Sequence, residues 1–371
     1  MATKKTELFV SADGHLLEPR DLWQTRLDKR FREQAPHIES RPDGDYFIIE
    51  HLPPWPVGAE GAMINDKTTG QIKSIGGYRY EAQRPGAVDP RARLADQDLD
   101  NVRAEIIYPN LFGFLLFSIE DPEFQRACVQ VYNDWVAEFS AAAPDRLVTV
   151  GILPSGGPIE YAVAEATRLA NKGIRSALLP VEPAQGYYSQ KKYYEPLWAA
   201  TQDLNLVIAF HVATGGRSFM RRFEHTGITA GVVKNKLLTA MPAAELISAG
   251  VPIQFPKLKF VLAEAGTGHL AYAMGFMDHW WEAHHNWMEL PEPPSVYFHR
   301  QFWATFEADR AGLLTRELLN VDHLMWGSDY PHSEGTFPRS TETVAEIFTG
   351  LPPDLTHKLT VENTASLYNL R

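Results

Sequence analysis

The chain has 371 residues, 44% of them hydrophobic and 22% charged, which places it among ordinary water-soluble globular proteins. Its formal charge of −11 argues against a nucleic-acid partner, because such binding rests on Lys and Arg neutralising phosphates. The single cysteine, Cys128, excludes an intramolecular disulfide and a thiolate metal site, and it fits a reducing cytoplasm.

No signal-type apolar stretch follows Met1–Glu7, and the most apolar window, Leu111–Ile119, falls well short of the ~20 residues of a membrane span. The expectation is a cytoplasmic protein without a membrane partner. Short apolar runs alternate with longer helical patterns along the chain. The runs are Leu8–Ala12, Ala104–Tyr108, Leu147–Leu153, Ile174–Leu179, Leu206–Phe210, Leu258–Ala263, Phe302–Phe306 and His323–Trp326. Each is continuously apolar rather than alternating, as expected of parallel strands buried on both faces. Eight of them, separated by helices, predict a distorted (β/α)8 barrel of the TIM type, one domain over residues 1–371.

The helices are expected at Asp121–Ala142, opened by Asp-Pro, and at Pro158–Lys172, stopped by Gly173. Others are expected at Tyr194–Leu204, after Gly268, at Pro338–Phe348 and at Leu355–Leu367. In the first of these, Phe124 to Tyr132 repeats apolar residues at helical spacing, so Cys128 reads as a core thiol rather than a nucleophile. Two connections are long. An insertion after the first strand, about residues 37–90, carries short β-prone runs in Arg41–Glu50 and Met63–Tyr80. It reads as a small hairpin region with too little apolar content for a core of its own. Gly215–Phe255 forms a second long loop with a helix, and long barrel loops tend to build sites.

Four places put metal-binding side chains at the C-terminal end of a predicted strand, the barrel edge where active sites lie. These are Asp13-Gly14-His15, His211, Glu264 and Asp329. Residues i and i+2 of a strand share a face, so Asp13 and His15 point together, and Gly14 removes a side chain where the chain turns. Any one of them alone is weak. Their coincidence at strands one, five, six and eight points to a divalent ion, Zn²⁺ first, with Mn²⁺ or Fe²⁺ as alternatives.

Asp13-Gly-His-Leu-Leu-Glu-Pro19, the isolated His211, Trp326-Gly-Ser-Asp-Tyr-Pro-His332 and the closing Leu359-Thr-Val-Glu-Asn-Thr-Ala-Ser-Leu-Tyr368 resemble the amidohydrolase superfamily. The similar branch contains aminocarboxymuconate semialdehyde decarboxylase and γ-resorcylate decarboxylase. The resemblance implies one catalytic metal held by Asp13, His15, His211 and Asp329, with Asp329 also handling protons. One departure stands out. The branch carries Gly-His after its sixth strand, and this chain has Ala263-Glu264. Glu264 is open to a role as acid/base or as an added ligand, and His269, five residues on, could substitute for the missing His.

Other candidates are His332, to orient Asp329 or touch substrate, and Glu18, either ending its turn or supporting the ligands. Arg217, Arg221 and Arg222 either offer guanidinium groups to a substrate carboxylate or are solvated surface charge, and Phe112, Phe114 and Phe117 either form an apolar wall for the substrate or cap the barrel core. The aromatic run His279–Trp287 reads as a helix packed on the barrel or on a subunit partner, rather than as a second metal site. The function expected is metal-dependent, non-oxidative decarboxylation of an aromatic or unsaturated carboxylic acid. The alternative is hydrolysis of an amide, ester or lactone by a metal-activated water. The partner is a small carboxylic acid or carbonyl compound, and the resemblance implies a homodimer or homotetramer.

Overall fold

The computed structural model describes residues 8–60, 76–216 and 227–370. Eight parallel strands run in chain order around a barrel: β1 (Phe9–Ser11), β2 (Val102–Pro109), β3 (Leu147–Ile152), β4 (Ser176–Pro180), β5 (Val207–His211), β6 (Phe260–Ala263), β7 (Phe302–Phe306) and β8 (Leu324–Trp326). Each hydrogen-bonds the next. The eight apolar runs are these eight strands, and all their residues except Arg103 and Trp303 are buried. That burial on both faces is why the runs lack alternation.

No regular ladder joins β8 back to β1. Three backbone bonds past the strand ends do so instead: Ala12 N–H to Trp326 O (2.9 Å), Asp329 N–H to Asp13 O (3.0 Å) and His15 N–H to Tyr330 O (2.6 Å). The two segments approach so closely that a Cβ on Gly327 would lie 2.5 Å from the Cβ of Asp13. The seam therefore requires glycine there.

Helices α1 (Pro90–Leu99), α2 (Pro122–Ser140), α3 (Ile159–Asn171), α4 (Lys191–Asp203), α5 (Ile228–Leu238) and α6 (Gly268–His284) belong to the outer layer. Asp121 caps α2, accepting from the N–H groups of Glu123 and Phe124. The face of Phe124, Cys128, Tyr132, Trp135 and Phe139 is buried, each large side chain contributing about 1.5–3 kcal/mol. Burial pushes the Cys128 thiol well above its ordinary range, consistent with an inert core residue. Helix α4 opens at Lys191, earlier than expected, with Pro196 inside it. The closing segment is not one α-helix: Pro353–His357 and Asn363–Tyr368 are joined by a π-helical stretch, Lys358–Glu362.

The insertion differs from a simple hairpin. It forms a three-stranded antiparallel sheet from His37–Arg41, Gly44–Ile48 and Trp55–Pro56. Most of the expected run Met63–Tyr80 lies outside the described residues. Buried Asp45 ties the sheet down, accepting from Arg20, Arg79 and the Tyr80 N–H, and these donors hold its carboxyl down at about 2 against the opposing effect of burial. Phe47 packs on Phe112 at 4.3 Å between centroids, and Ile38, Ile49 and Val57 join the same buried cluster as β1 and β2. In the second long connection, α5 is followed by helices Met241–Ser248 and Val251–Gln254. Residues 279–287 end α6 and form a short 3-10 turn, where Trp280 stacks on His284 and Trp281 meets His285 at a tilt. Among the described residues, no helix is long and apolar enough to cross a membrane.

Candidate metal centre at the barrel mouth

The first-strand pair is held from below. A Cβ on Gly14 would lie 2.0 Å from Oε1 of Glu105, so glycine lets the turn sit directly on that carboxylate. Glu105 is paired with the fully buried Arg93 at 2.8 Å, and Arg93 also donates to the carbonyl of His15 at 2.7 Å. This ion pair fixes the backbone between the two side chains. His15 Nδ1 faces the carbonyl of Pro109 at 2.8 Å, so it carries the proton and Nε2 presents its lone pair inward. Asp13 is fixed through Oδ2, which accepts from Thr305 Oγ1 at 2.8 Å.

The other strand ends repeat the pattern. His211 Nδ1 donates to the carbonyl of Val212 at 2.8 Å, again leaving Nε2 free to ligate. Glu264 and Asp329 follow β6 and β8 in the left-handed region, with φ of 49° and 56°. Such non-glycine residues cost roughly 1 kcal/mol or more each and cluster at functional sites. Thr305 Oγ1 accepts from the Glu264 N–H at 2.6 Å, so one hydroxyl braces both Asp13 and Glu264.

Four buried atoms converge without any hydrogen bond: Asp13 Oδ1, His15 Nε2, His211 Nε2 and Asp329 Oδ1. Leaving such groups unsatisfied costs about 1–3 kcal/mol each, more for a charged one. His15 Nε2 lies 3.2 Å from Asp329 Oδ1 and 3.8 Å from Asp13 Oδ1, and His211 Nε2 lies 3.5 Å from Asp13 Oδ1. Donors about 2.1 Å from a common cation stand roughly 3–3.5 Å apart. The donors form two sets that share His15: Asp13, His15 and His211 in one, and His15, Glu264, Asp329 and His332 in the other, each with the imidazole and carboxylate groups that suit a divalent ion. Glu264 Oε2 stands 3.7 Å from His211 Nε2, at the edge of the first set.

His332 closes one side. Its Nδ1 lies 3.0 Å from Asp329 Oδ1 and 3.2 Å from Oδ2, and its Nε2 3.2 Å from Asn110 Oδ1. That Asn110 oxygen already accepts from the Leu111 N–H, which fixes it as oxygen. Both ring nitrogens thus face acceptors, so His332 is an imidazolium. Burial works against its charge, but Asp329 outweighs that and raises it to about 10. In return, Asp329 is held well below the usual carboxylate range: burial opposes this, and the charge of His332 outweighs burial. The ring stacks on His15 at 4.3 Å. Tyr108 and Phe114 line His211 at 4.9 and 4.8 Å, supplying an apolar wall.

A second charged set adjoins the first. Lys236 of α5 reaches Glu264, and Glu307, directly after β7, lies 3.6 Å from its Nζ. Burial is the largest influence on both. It opposes the lysine charge, yet Glu264 and Glu307 hold that group above its ordinary range. Burial also raises Glu307 well above the usual carboxyl range, over the opposing charge of Lys236.

The structure thus brings Asp13, His15, His211, Glu264, Asp329 and His332 together. It does not bring in His269, whose Nε2 turns to Thr239 Oγ1 at 3.2 Å on the first turn of α6, where burial lowers its basicity. Phe112 corrects the expected apolar wall. It is fully buried against Trp23 and Phe47, and Phe114, half a turn on, faces the histidines instead. Glu18 is buried below the insertion, its carbonyl accepting from Tyr80. Arg217, Arg221 and Arg222 lie outside the described residues.

The amidohydrolase family model matches residues 48–370. The chain belongs to the amidohydrolase family. It is 26% identical over 260 residues to a γ-resorcylate decarboxylase from Polaromonas sp. (strain JS666 / ATCC BAA-500), covering 66% of this chain and 76% of that protein. The solved structure of an amidohydrolase from Mycobacterium avium subsp. paratuberculosis K-10 superposes with a TM-score of 0.78 at 19% identity, covering 98% and 99% of the two chains. A 5-carboxyvanillate decarboxylase from Novosphingobium aromaticivorans DSM 12444, complexed with manganese and 4-hydroxy-3-methoxy-5-nitrobenzoic acid, superposes with a TM-score of 0.71 at 16% identity, covering 99% and 97%. Aromatic acid decarboxylases thus stand among the relatives of this amidohydrolase.

Proposed function

We propose that this amidohydrolase is a metal-dependent, non-oxidative decarboxylase of an aromatic or unsaturated carboxylic acid. The observation that carries the reading is the pair of donor sets that meet at His15, one with Asp13 and His211 and the other with Glu264, Asp329 and His332. The manganese in a related decarboxylase supports Mn²⁺ beside the Zn²⁺ expected from sequence, and the donor set suits both. A bound divalent ion supplies charge stabilisation and a template for the substrate's oxygens.

The chain's own residues account for the rest. The bond between carboxyl and ring carbon breaks, its electron pair stays on the carbon, and one proton must arrive there as carbon dioxide leaves. Asp329 and His332 hold that proton between Oδ2 and Nδ1. Asn110 keeps the imidazolium in place from behind. Phe114 and Tyr108 exclude water from the ring face and seat an aromatic substrate.

The test is incubation of the manganese- and zinc-loaded protein with 2,6-dihydroxybenzoate, 5-carboxyvanillate and further hydroxybenzoates in D₂O. Carbon dioxide release with deuterium at the vacated ring position is expected. Asp329→Asn should keep the fold and lose turnover. One feature favours the hydrolase alternative, namely a carboxylate at Glu264 where decarboxylases of the branch carry histidine. Incorporation of ¹⁸O from water into cleaved aryl esters or lactones, with no acid decarboxylated, would replace the first reading with the second.

A further inference from the structure

Glu264 poses a problem for an anionic substrate. It adds a carboxylate at the edge of the ligand cluster, with Oε2 3.7 Å from His211 Nε2. Asp13 and Asp329 already supply two acidic groups there, and Glu307 stands close by. The residue is also held in a left-handed backbone conformation that only surrounding contacts can maintain.

Those contacts are specific. Thr305 takes the Glu264 N–H, and Lys236 takes both remaining handles of the same residue. Lys236 Nζ donates to the Glu264 carbonyl at 2.6 Å and to Oε1 at 2.8 Å. A surface ion pair needs only the side-chain contact. Here one ammonium grips backbone and side chain together, which fixes the rotation of the carboxylate and turns Oε2 toward the cluster. The lysine comes from α5, on the connection between β5 and β6, so the grip joins that helix to the site.

We propose that Lys236 is a positioning residue that clamps Glu264 and cancels its charge, so that a carboxylic acid substrate can occupy the barrel mouth. This rests on the decarboxylase reading for its substrate class. The comparison set is wild type, Lys236→Met, Lys236→Arg, Glu264→Gln and the double variant Lys236→Met/Glu264→Gln. The probe is 4-hydroxy-3-methoxy-5-nitrobenzoic acid, titrated by absorbance into manganese-saturated protein, with Mn²⁺ affinity measured separately.

Lys236→Met should bind the probe at least tenfold more weakly while keeping Mn²⁺ affinity within about threefold, since the four ligands are untouched. Lys236→Arg should stay near wild type. The double variant should regain most of the lost probe affinity, because the uncompensated charge is gone. A Lys236→Met protein that binds the probe like wild type overturns the proposal, as does a loss that persists in the double variant. Denaturation of the same proteins without metal or probe gives a second reading. Unfolding constants of the single variants should fail to multiply to that of the double, by at least fivefold. Simple multiplication removes the clamp whatever the protein binds. A wild type that takes up neither Mn²⁺ nor probe counts against the decarboxylase reading, and the denaturation cycle then decides the clamp alone.

Discussion

Thr305→Val tests the bracing of the site at a single oxygen atom. Valine keeps the shape of threonine in the fully buried end of β7, so packing is little disturbed. The hydroxyl, however, donates to Asp13 Oδ2 at 2.8 Å and accepts from the Glu264 N–H at 2.6 Å. Its loss strands two buried polar groups, each costing about 1–3 kcal/mol, with the carboxylate at the upper end. The sum, roughly 2–6 kcal/mol, should appear in denaturant unfolding of the metal-free protein. Asp13 also loses the contact that aims Oδ1, and removal of such a support typically lowers metal affinity ~10–100-fold. Calorimetric titration of Mn²⁺ into metal-free protein reads that term directly. Thr305→Ser, which retains the hydroxyl, should recover metal affinity to within a few-fold. A valine variant with unchanged metal affinity and a stability loss below about 0.5 kcal/mol would refute the reasoning.

Three further outcomes follow from the same geometry. Chelation should lower the unfolding free energy, and metal at a hundred times its dissociation constant should restore about 2.7 kcal/mol; a melting temperature indifferent to metal would contradict the site. Phe114→Ala should weaken binding of a nitrophenolic probe with modest stability loss. Phe112→Ala should cost about 3–5 kcal/mol of stability and spare probe binding in whatever protein remains folded, and the reverse pattern would restore Phe112 to the site. Asp100 is buried, which raises its carboxyl from 3.8 to about 6 despite hydrogen bonds from Ser340. The folded chain therefore binds this proton more tightly than the unfolded one. Stability from it is present below pH 4 and is lost as pH rises through 6, by about 3 kcal/mol. Asp100→Asn should flatten that decline in unfolding measured from pH 4 to 7, and an unchanged slope would exclude Asp100 as its source.

The barrel was legible because its strands are buried on both faces and so read as uninterrupted apolar runs. The candidate ligands were legible because a barrel gathers its strand ends, and Asp13, His15, His211 and Asp329 each follow a run. The same rule reaches two residues passed over: Asn110 directly follows β2 and Glu307 directly follows β7. Lys236 obeys no such rule. It comes from a helix in a long connection, and only tertiary packing brings it to Glu264. The choice between Phe112 and Phe114 turned on which way one short helical turn faces, and residues two apart on a helix point to different sides. The His269 substitution failed for a related reason, because the helix it opens directs its ring toward Thr239.

The seam between β1 and β8 bears on how the molecule is made. Asp13 and Asp329 meet through their backbones across it, and both present a carboxylate oxygen toward His15 Nε2. A nascent chain short of residue 329 has an unclosed ring and three of the four donors at best. Emergence of the last strand completes ring and donor set together, so no truncated product carries the full site. A chain that ends before residue 329 therefore lacks both the backbone bonds of the seam and the Asp329 carboxylate.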